Sequence, residues 1–393
     1  MMRRVLSNRA KNLVRSPTIA AAERARKLRD EGRDIVSLTA GEPLDAPPPH
    51  VLEAAAQAPA KGFTKYPPVA GFADLRQAIA GQYTALTGVA IEPRQVVVSA
   101  GAKQAVWNAM LALVSPGDRV VLPTPIWGSF AEMIRLAQGE VIFLPTFANQ
   151  GFRIDPVAFD RALVGASGFL FNSPGNPTGA AYTRNELAEL ARVLRRHPRV
   201  FVIVDEIYSR IYFGGDRCPG ILQVAPDLAP RTVVADGVSK SYAMTGFRIG
   251  WTLSPSDVAQ AITDLQGQTT SGAATPSQRA ALAAIEGPQD FVARQCEVYR
   301  RRCAEAAAAL RQIPGVACFE PEGAFYAYPD VSGVVRRMGL RSSEALADHL
   351  LEKTGLAVNS GEGFLTPGYL RISLAPSDQD VAEGLRRIAT FAR

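Results

Sequence analysis

A chain of 393 residues, 47% apolar and 20% charged, is long enough for roughly two to three domain-sized units and lies far from the composition of a disordered protein. Its net charge of +6 raises nucleic acid as a partner, but the basic residues are scattered. Only the first segment, with Arg3, Arg4, Arg9, Lys11 and Arg15 and no acid, is concentrated. That segment lacks the apolar stretch of a secretory signal and reads as an arm packed on the surface. No apolar run approaches the ~18 residues of a membrane span, so neither nucleic acid nor membrane is expected as a partner. Cys218, Cys296, Cys303 and Cys318 show no CxxC spacing, and three histidines are available to join them. A structural zinc site is not expected, and four unpaired thiols fit the reducing cytoplasm.

In chain order, TIAAAERARKLRDEG predicts a helix ending at Gly32, and IVSLTAG a short strand. QVVVSA at 95–100 predicts a buried strand followed by an Ala-rich helix, KQAVWNAMLALV. RVVLP, EVIFLP, GFLFN, RVFVIVD and TVVAD follow as short, almost wholly apolar runs, as strands covered on both faces must be. Alternation of such strands with helical stretches predicts an α/β core with a mainly parallel, doubly wound sheet. From about residue 280 come long Ala/Arg-rich helices near 288–312, a strand pair near GVACFEP and AFYAYPD, and a last helix from 377. The expected organisation is an N-terminal arm and small-domain part over 1–45, a large domain over 46–280, and a C-terminal α+β small domain over 281–393.

The segments that carry chemistry lie just past strands, where ligands bind in open α/β sheets. RVFVIVD ends in Asp205, and a carboxylate there demands a cation. A protonated pyridine nitrogen is one such cation; a plain helix cap is the alternative. TVVAD leads to Lys240 among small residues, where desolvation lowers a lysine pKa as a Schiff-base nucleophile requires, unless the lysine is simply on the surface. Arg248 stands eight residues on, before the apolar IGWTL, and reads alternatively as a solvated strand edge. GFLFN runs into SPGNPTG, a turn dense in Pro and Gly that holds the Asn176 amide where it can donate to a phenolate. SAGAKQ joins a strand to a helix start suited to phosphate. Trp127, past RVVLP, is placed either to stack on a flat ring or to fill the core.

GEP, YPPVAG, SPGNPTG, DEIY, SK and TGFRIGW stand in one order and spacing from residue 37 to 375, and together they resemble the fold-type I pyridoxal phosphate (PLP) enzymes, in particular the class I/II aminotransferases. The resemblance implies pyridoxal 5'-phosphate as cofactor, a Schiff base on Lys240, and Asp205 as partner of the pyridine nitrogen. It implies further that Asn176 and Tyr208 bond the phenolic oxygen and that Trp127 stacks on the ring. Backbone groups of Gly101, Ala102 and Lys103 would approach the phosphate, with Arg248 as its charged partner and Ser239 assisting. Tyr66 would reach the phosphate from the neighbouring subunit of a homodimer. Arg371, with Gly41 and Asn176, would hold the α-carboxylate of an amino acid or 2-oxo acid. The expected reaction is ping-pong amino transfer, with Lys240 as the base at Cα and Asp205 keeping the ring nitrogen protonated.

Two positions depart from the family pattern. Gly237 stands where many members carry Ser or Thr, and GEPLDAPPP replaces the usual GEPDFDTP beside the substrate entrance. No arginine matches the one that reads a dicarboxylate side chain in some members, so aspartate specificity does not follow from the sequence. The same cofactor shell serves lyases, decarboxylases and elimination or replacement enzymes, which form the main alternative. A PLP-sensing regulator would need a helix-turn-helix module ahead of residue 16.

Overall fold

The computed structural model describes residues 6–11 and 13–391. Arg3 and Arg4 of the basic arm lie outside the described residues. The N-terminal helix spans Pro17–Asp30, two residues short of the expected stop.

Seven strands form the central sheet: β2 (Val96–Ser99), β3 (Arg119–Thr124), β4 (Glu140–Pro145), β5 (Gly168–Asn172), β6 (Phe201–Asp205), β7 (Thr232–Gly237) and β8 (Gly250–Leu253), in spatial order β2-β8-β7-β6-β5-β3-β4. All neighbours pair in parallel except β8, which runs antiparallel to both β2 and β7. The continuous apolar runs are explained by this packing: β2 and β7 are buried at every residue, with helices on both faces. One face carries Leu75, Ile79 and Tyr83 of the helix Ala73–Thr87. The other carries Val106, Ala109 and Met110 of the helix Ala102–Leu113. β2, β5, β6 and β7 therefore deliver Ser99, Asn172, Asp205 and Gly237 to one edge, and β8 begins at that same edge.

A second core gathers Val36 and Leu38 with Leu310, Leu350, Leu356, Ile372 and Ile388. The link is made by β1 (Val36–Ser37), only two residues of the expected IVSLTAG strand, which pairs in parallel with β12 (Leu356–Ala357). The rest of that segment leaves the sheet because its backbone is used at the site described below. The GVACFEP and AFYAYPD segments pair through β9 (Ala317–Cys318) and β11 (Pro329–Asp330). β10 (Tyr326–Ala327) and β13 (Asn359–Ser360) flank β14 (Leu370–Ser373) in an antiparallel sheet that carries Arg371. The last two long helices are Asp290–Arg311 and Asp378–Phe391. Among the described residues no helix is long and apolar enough to cross a membrane.

Candidate active site

The strand ends open into a cavity of about 470 Å³ lined by Gly41, Ala102, Lys103, Trp127, Asn176, Asp205, Tyr208, Ser239, Lys240, Arg248 and Arg371. Residues from β14 and from the segment after β1 thus meet those at the edge of the large sheet.

Lys240 follows β7 in a turn and donates from Nζ to the Gly41 carbonyl at 2.6 Å. Burial holds its ammonium down to a pKa of about 8; Glu42 opposes that shift, Arg371 and Arg248 add to it, and Asp205 opposes it. Asp205 ends β6, and a turn, not the helix of the capping alternative, follows it. Its Oδ1 accepts from the Ile207 N–H at 3.1 Å. Burial raises its pKa to about 7; that backbone N–H lowers it, Asp236 raises it and Lys240 lowers it. A carboxylate so placed is stabilised by a cation that enters the cavity.

At the N-terminus of the helix Ala102–Leu113, Gly101 takes φ +88°. A Cβ there would lie 2.6 Å from Arg248 Nη2, so the close approach of the guanidinium to the helix start requires glycine. Arg248 donates to the Thr245 carbonyl at 2.9 Å and the Ala100 carbonyl at 3.4 Å. Free helix amides and an arginine with no carboxylate partner among the described residues make an anion cradle. Gly237, the departure noted above, has a local cause: a Cβ would stand 2.8 Å from the Ile249 carbonyl oxygen. β8 leaves no room for the usual serine or threonine. Ser239 is buried and lines the cavity.

Arg371 is 4% exposed. Its Nη1 donates to Asn176 Oδ1 at 3.2 Å and its Nη2 to the Thr39 carbonyl, while Nε has no partner among the described residues. The guanidinium carbon sits 4.6 Å from the Tyr326 ring centroid and 4.8 Å from that of Phe364. No carboxylate pairs with it among the described residues, and burial lowers its pKa. A buried cation in this state is a receptor for an anion. Asn176 accepts from Arg371 through its oxygen, so its NH₂ group remains available as a donor. Tyr208 and Tyr326 share a hydrogen bond at 2.7 Å.

Lys103 was expected to contribute backbone groups, yet its side chain also lines the cavity, with Nζ 4.8 Å from the Trp127 ring centroid and no acid partner among the described residues. Its pKa is lowered by burial, and Arg248 adds to that. Tyr66 does not reach the cavity of its own chain and is 91% exposed. Trp127 is half-buried, lines the cavity and meets Phe130 edge-to-face at 5.3 Å. Sequence reasoning missed Tyr326, Phe364, Thr39 and Thr18; the two tyrosines of AFYAYPD were the available signal, read only as strand residues.

The family model for aminotransferase class I and II matches residues 33–388. The aspartate/prephenate aminotransferase of Cereibacter sphaeroides is 40% identical, with 96% of each chain covered. The crystal structure of the aspartate aminotransferase from Rhizobium meliloti superposes with a TM-score of 0.94 at 35% identity, covering 99% of this chain and 98% of that one. The aspartate aminotransferase from Thermus thermophilus with maleate superposes with a TM-score of 0.91 at 35% identity, covering 99% and 100%. A lysine, an aspartate and several cations without carboxylate partners among the described residues surround one cavity, and with a family match over nearly the whole length they identify a member of the class I and II aminotransferases, an amino-acid aminotransferase of the α/β fold-type I architecture.

Proposed function

We propose that this aminotransferase works with pyridoxal 5'-phosphate held at Lys240 and prefers dicarboxylic amino acids and 2-oxo acids. The single observation that carries the substrate reading is the set of cations that line one cavity without a carboxylate partner among the described residues: Arg248, Arg371, Lys103 and, more exposed, Arg26. One phosphate answers Arg248 and one α-carboxylate answers Arg371, which leaves Lys103, with Arg26 at the rim, for a second carboxylate. The relatives named for aspartate, and the Thermus protein with maleate, are consistent with that assignment.

The residues fit the cofactor. The amides at the start of the helix Ala102–Leu113, with the Arg248 guanidinium packed against Gly101, suit a phosphate. The buried Asp205 suits a protonated ring nitrogen, and the Tyr208 hydroxyl with the Asn176 NH₂ suits a phenolic oxygen. When bound, PLP supplies a carbonyl that links covalently to amines and a ring that accepts the electrons of a Cα–H bond. Lys240, with a pKa of about 8, is partly neutral near physiological pH and moves the proton between Cα and the cofactor carbon. Asp205 holds the ring-nitrogen proton in place. Arg371, braced by Thr39 and Asn176, orients the substrate by its α-carboxylate. Tyr208, braced by Tyr326, fixes the oxygen side of the ring.

Tyr66, exposed on the isolated chain, fits a homodimer in which it completes the partner's phosphate site. The division into 1–45, 46–280 and 281–393 belongs to the same proposal, supported by the second core that joins Val36 to Leu356. Four free cysteines support a cytoplasmic setting. The experiment is reductive trapping: borohydride treatment of the PLP-loaded protein is expected to fix the cofactor on the Lys240 peptide, and Lys240→Ala to abolish trapping. Label on another lysine refutes the assignment. Incubation of loaded enzyme with amino acids is then expected to give pyridoxamine phosphate, fastest with dicarboxylic donors.

A further inference from the structure

Behind Asp205, on the other face of the central sheet, lies a buried ionic cluster that the site above does not use. Asp205 pairs in register with Ala235, so Asp236 and Glu206, one residue further on, turn to the opposite face. Asp236 Oδ2 accepts from the Tyr83 hydroxyl at 2.6 Å and from Arg217 Nη2 at 2.8 Å, and its Oδ1 accepts from the Gly237 N–H at 2.7 Å. Arg217 also donates to the Tyr83 oxygen at 2.8 Å and stands 4.9 Å from that ring's centroid. Glu206 is more loosely held, 3.8 Å from Arg217. Tyr83, Glu206 and Asp236 are each at most 5% exposed.

Three donors around Asp236, one of them a guanidinium, favour its ionised form, although burial pushes its pKa up. Glu206 is held less closely, and burial raises its pKa to about 7. The charged and titratable groups that face Asp236 are Arg217, Tyr83, Glu206, Arg210, Tyr242 and, through the sheet, Asp205. Asp205 feels Asp236 directly as a repulsion.

We propose that Asp236, kept ionised by Arg217 and Tyr83, is a positioning residue that acts through Asp205. It places a second negative charge behind the partner of the ring nitrogen and so makes the site select a protonated cofactor ring. The inference rests on the PLP reading given above. A purely structural pin between the helix Ala73–Thr87 and β7 would weaken any ligand alike, whereas this role depends on the charge of one ring atom.

The test is equilibrium binding of PLP and of its 1-deaza analogue, with carbon in place of the ring nitrogen, to the cofactor-free full chain. Asp236→Asn is expected to lower the ratio of PLP affinity to deaza-analogue affinity on the order of tenfold, while Arg217→Lys keeps the wild-type ratio. Equal weakening of both ligands overturns the proposal. If Asp236→Asn does not fold, Arg217→Met leaves Asp236 buried without its cation. Its ratio, relative to wild type at the same pH, is expected to be lowest at the acid end of the range and to recover as rising pH ionises Asp236; a constant relative ratio overturns the proposal. Wild-type protein that does not bind PLP refutes the cofactor reading instead.

Discussion

Replacing Arg371 by alanine removes the one cation buried among Tyr326, Phe364 and the Thr39 carbonyl. Of its five N–H groups, Nη1 and Nη2 each use one on Asn176 and Thr39, which leaves three donors, the unpaired Nε among them, for an incoming carboxylate. Two charge-assisted bonds at ~1.5–3 kcal/mol each give roughly 3–6 kcal/mol of lost binding in the transition state. That corresponds to a fall in kcat/KM between about a hundredfold and about ten-thousandfold. Arg371→Lys recovers little, because an ammonium cannot reproduce the planar fork. The assay is the single-turnover reaction of PLP-loaded enzyme with an amino acid, followed by the change in cofactor absorbance, with PLP affinity measured in parallel. Arg371 makes no contact with the phosphate cradle, so PLP affinity is expected to change little. A loss below tenfold in kcat/KM, or loss confined to cofactor binding, would refute the carboxylate assignment.

Lys103→Met is expected to reduce kcat/KM for dicarboxylic substrates by on the order of tenfold to a hundredfold relative to monocarboxylic ones of similar size; a uniform loss across an amino-acid panel would place Lys103 on the phosphate instead. Asp205→Asn is expected to abolish most activity yet stabilise the cofactor-free protein. Asp205 titrates at about 7 when folded, against 3.8 for an ordinary aspartate, so the folded state binds the extra proton and stability falls as pH rises from about 4 to about 7. Urea denaturation of the apo-protein checks this: removal of that slope, with a gain of up to a few kcal/mol near pH 7, is the expected result, and an unchanged slope contradicts it. Lys240 acts in the opposite direction, since its lowered pKa makes apo-protein stability rise between about 8 and 10.5. Mixing inactive Tyr66→Ala and Lys240→Ala subunits is expected to restore activity, because one site of each hybrid dimer regains both residues; no recovery would mean that Tyr66 does not act across subunits.

The large sheet was legible because strands covered on both faces must be continuous apolar runs, and GFLFN, RVFVIVD and TVVAD leave little choice of period. Asp205 at the end of RVFVIVD, with Asn176 just past GFLFN and Lys240 just past TVVAD, pointed to the site because nothing within their own segments satisfied them. What stayed hidden depends on contacts between distant segments. Nothing in SLTAGEP shows that its Thr39 carbonyl braces Arg371, and nothing in AFYAYPD shows that Tyr326 bonds Tyr208. β1 shrank to two residues for the same reason, since the backbone after Ser37 turns to serve the cavity. The Asp236–Arg217–Tyr83 cluster spans 153 positions in sequence, beyond the reach of any local pattern. Gly237 read as a missing hydroxyl, whereas the cause is the closeness of β8.

The missing Cβ at Gly101 carries a consequence for how this chain tolerates change. Because the space it leaves is occupied by the Arg248 guanidinium, a methyl group there forces that side chain out of place without touching either hydrophobic core. Variants at this position are therefore expected to keep both cores and to fold, with some loss of stability from the backbone strain at φ +88°, but to be unable to retain a phosphate. In a library sorted first for expression and then for cofactor retention, position 101 would pass the first sieve and fail the second, the reverse of what a core residue such as Val98 would do.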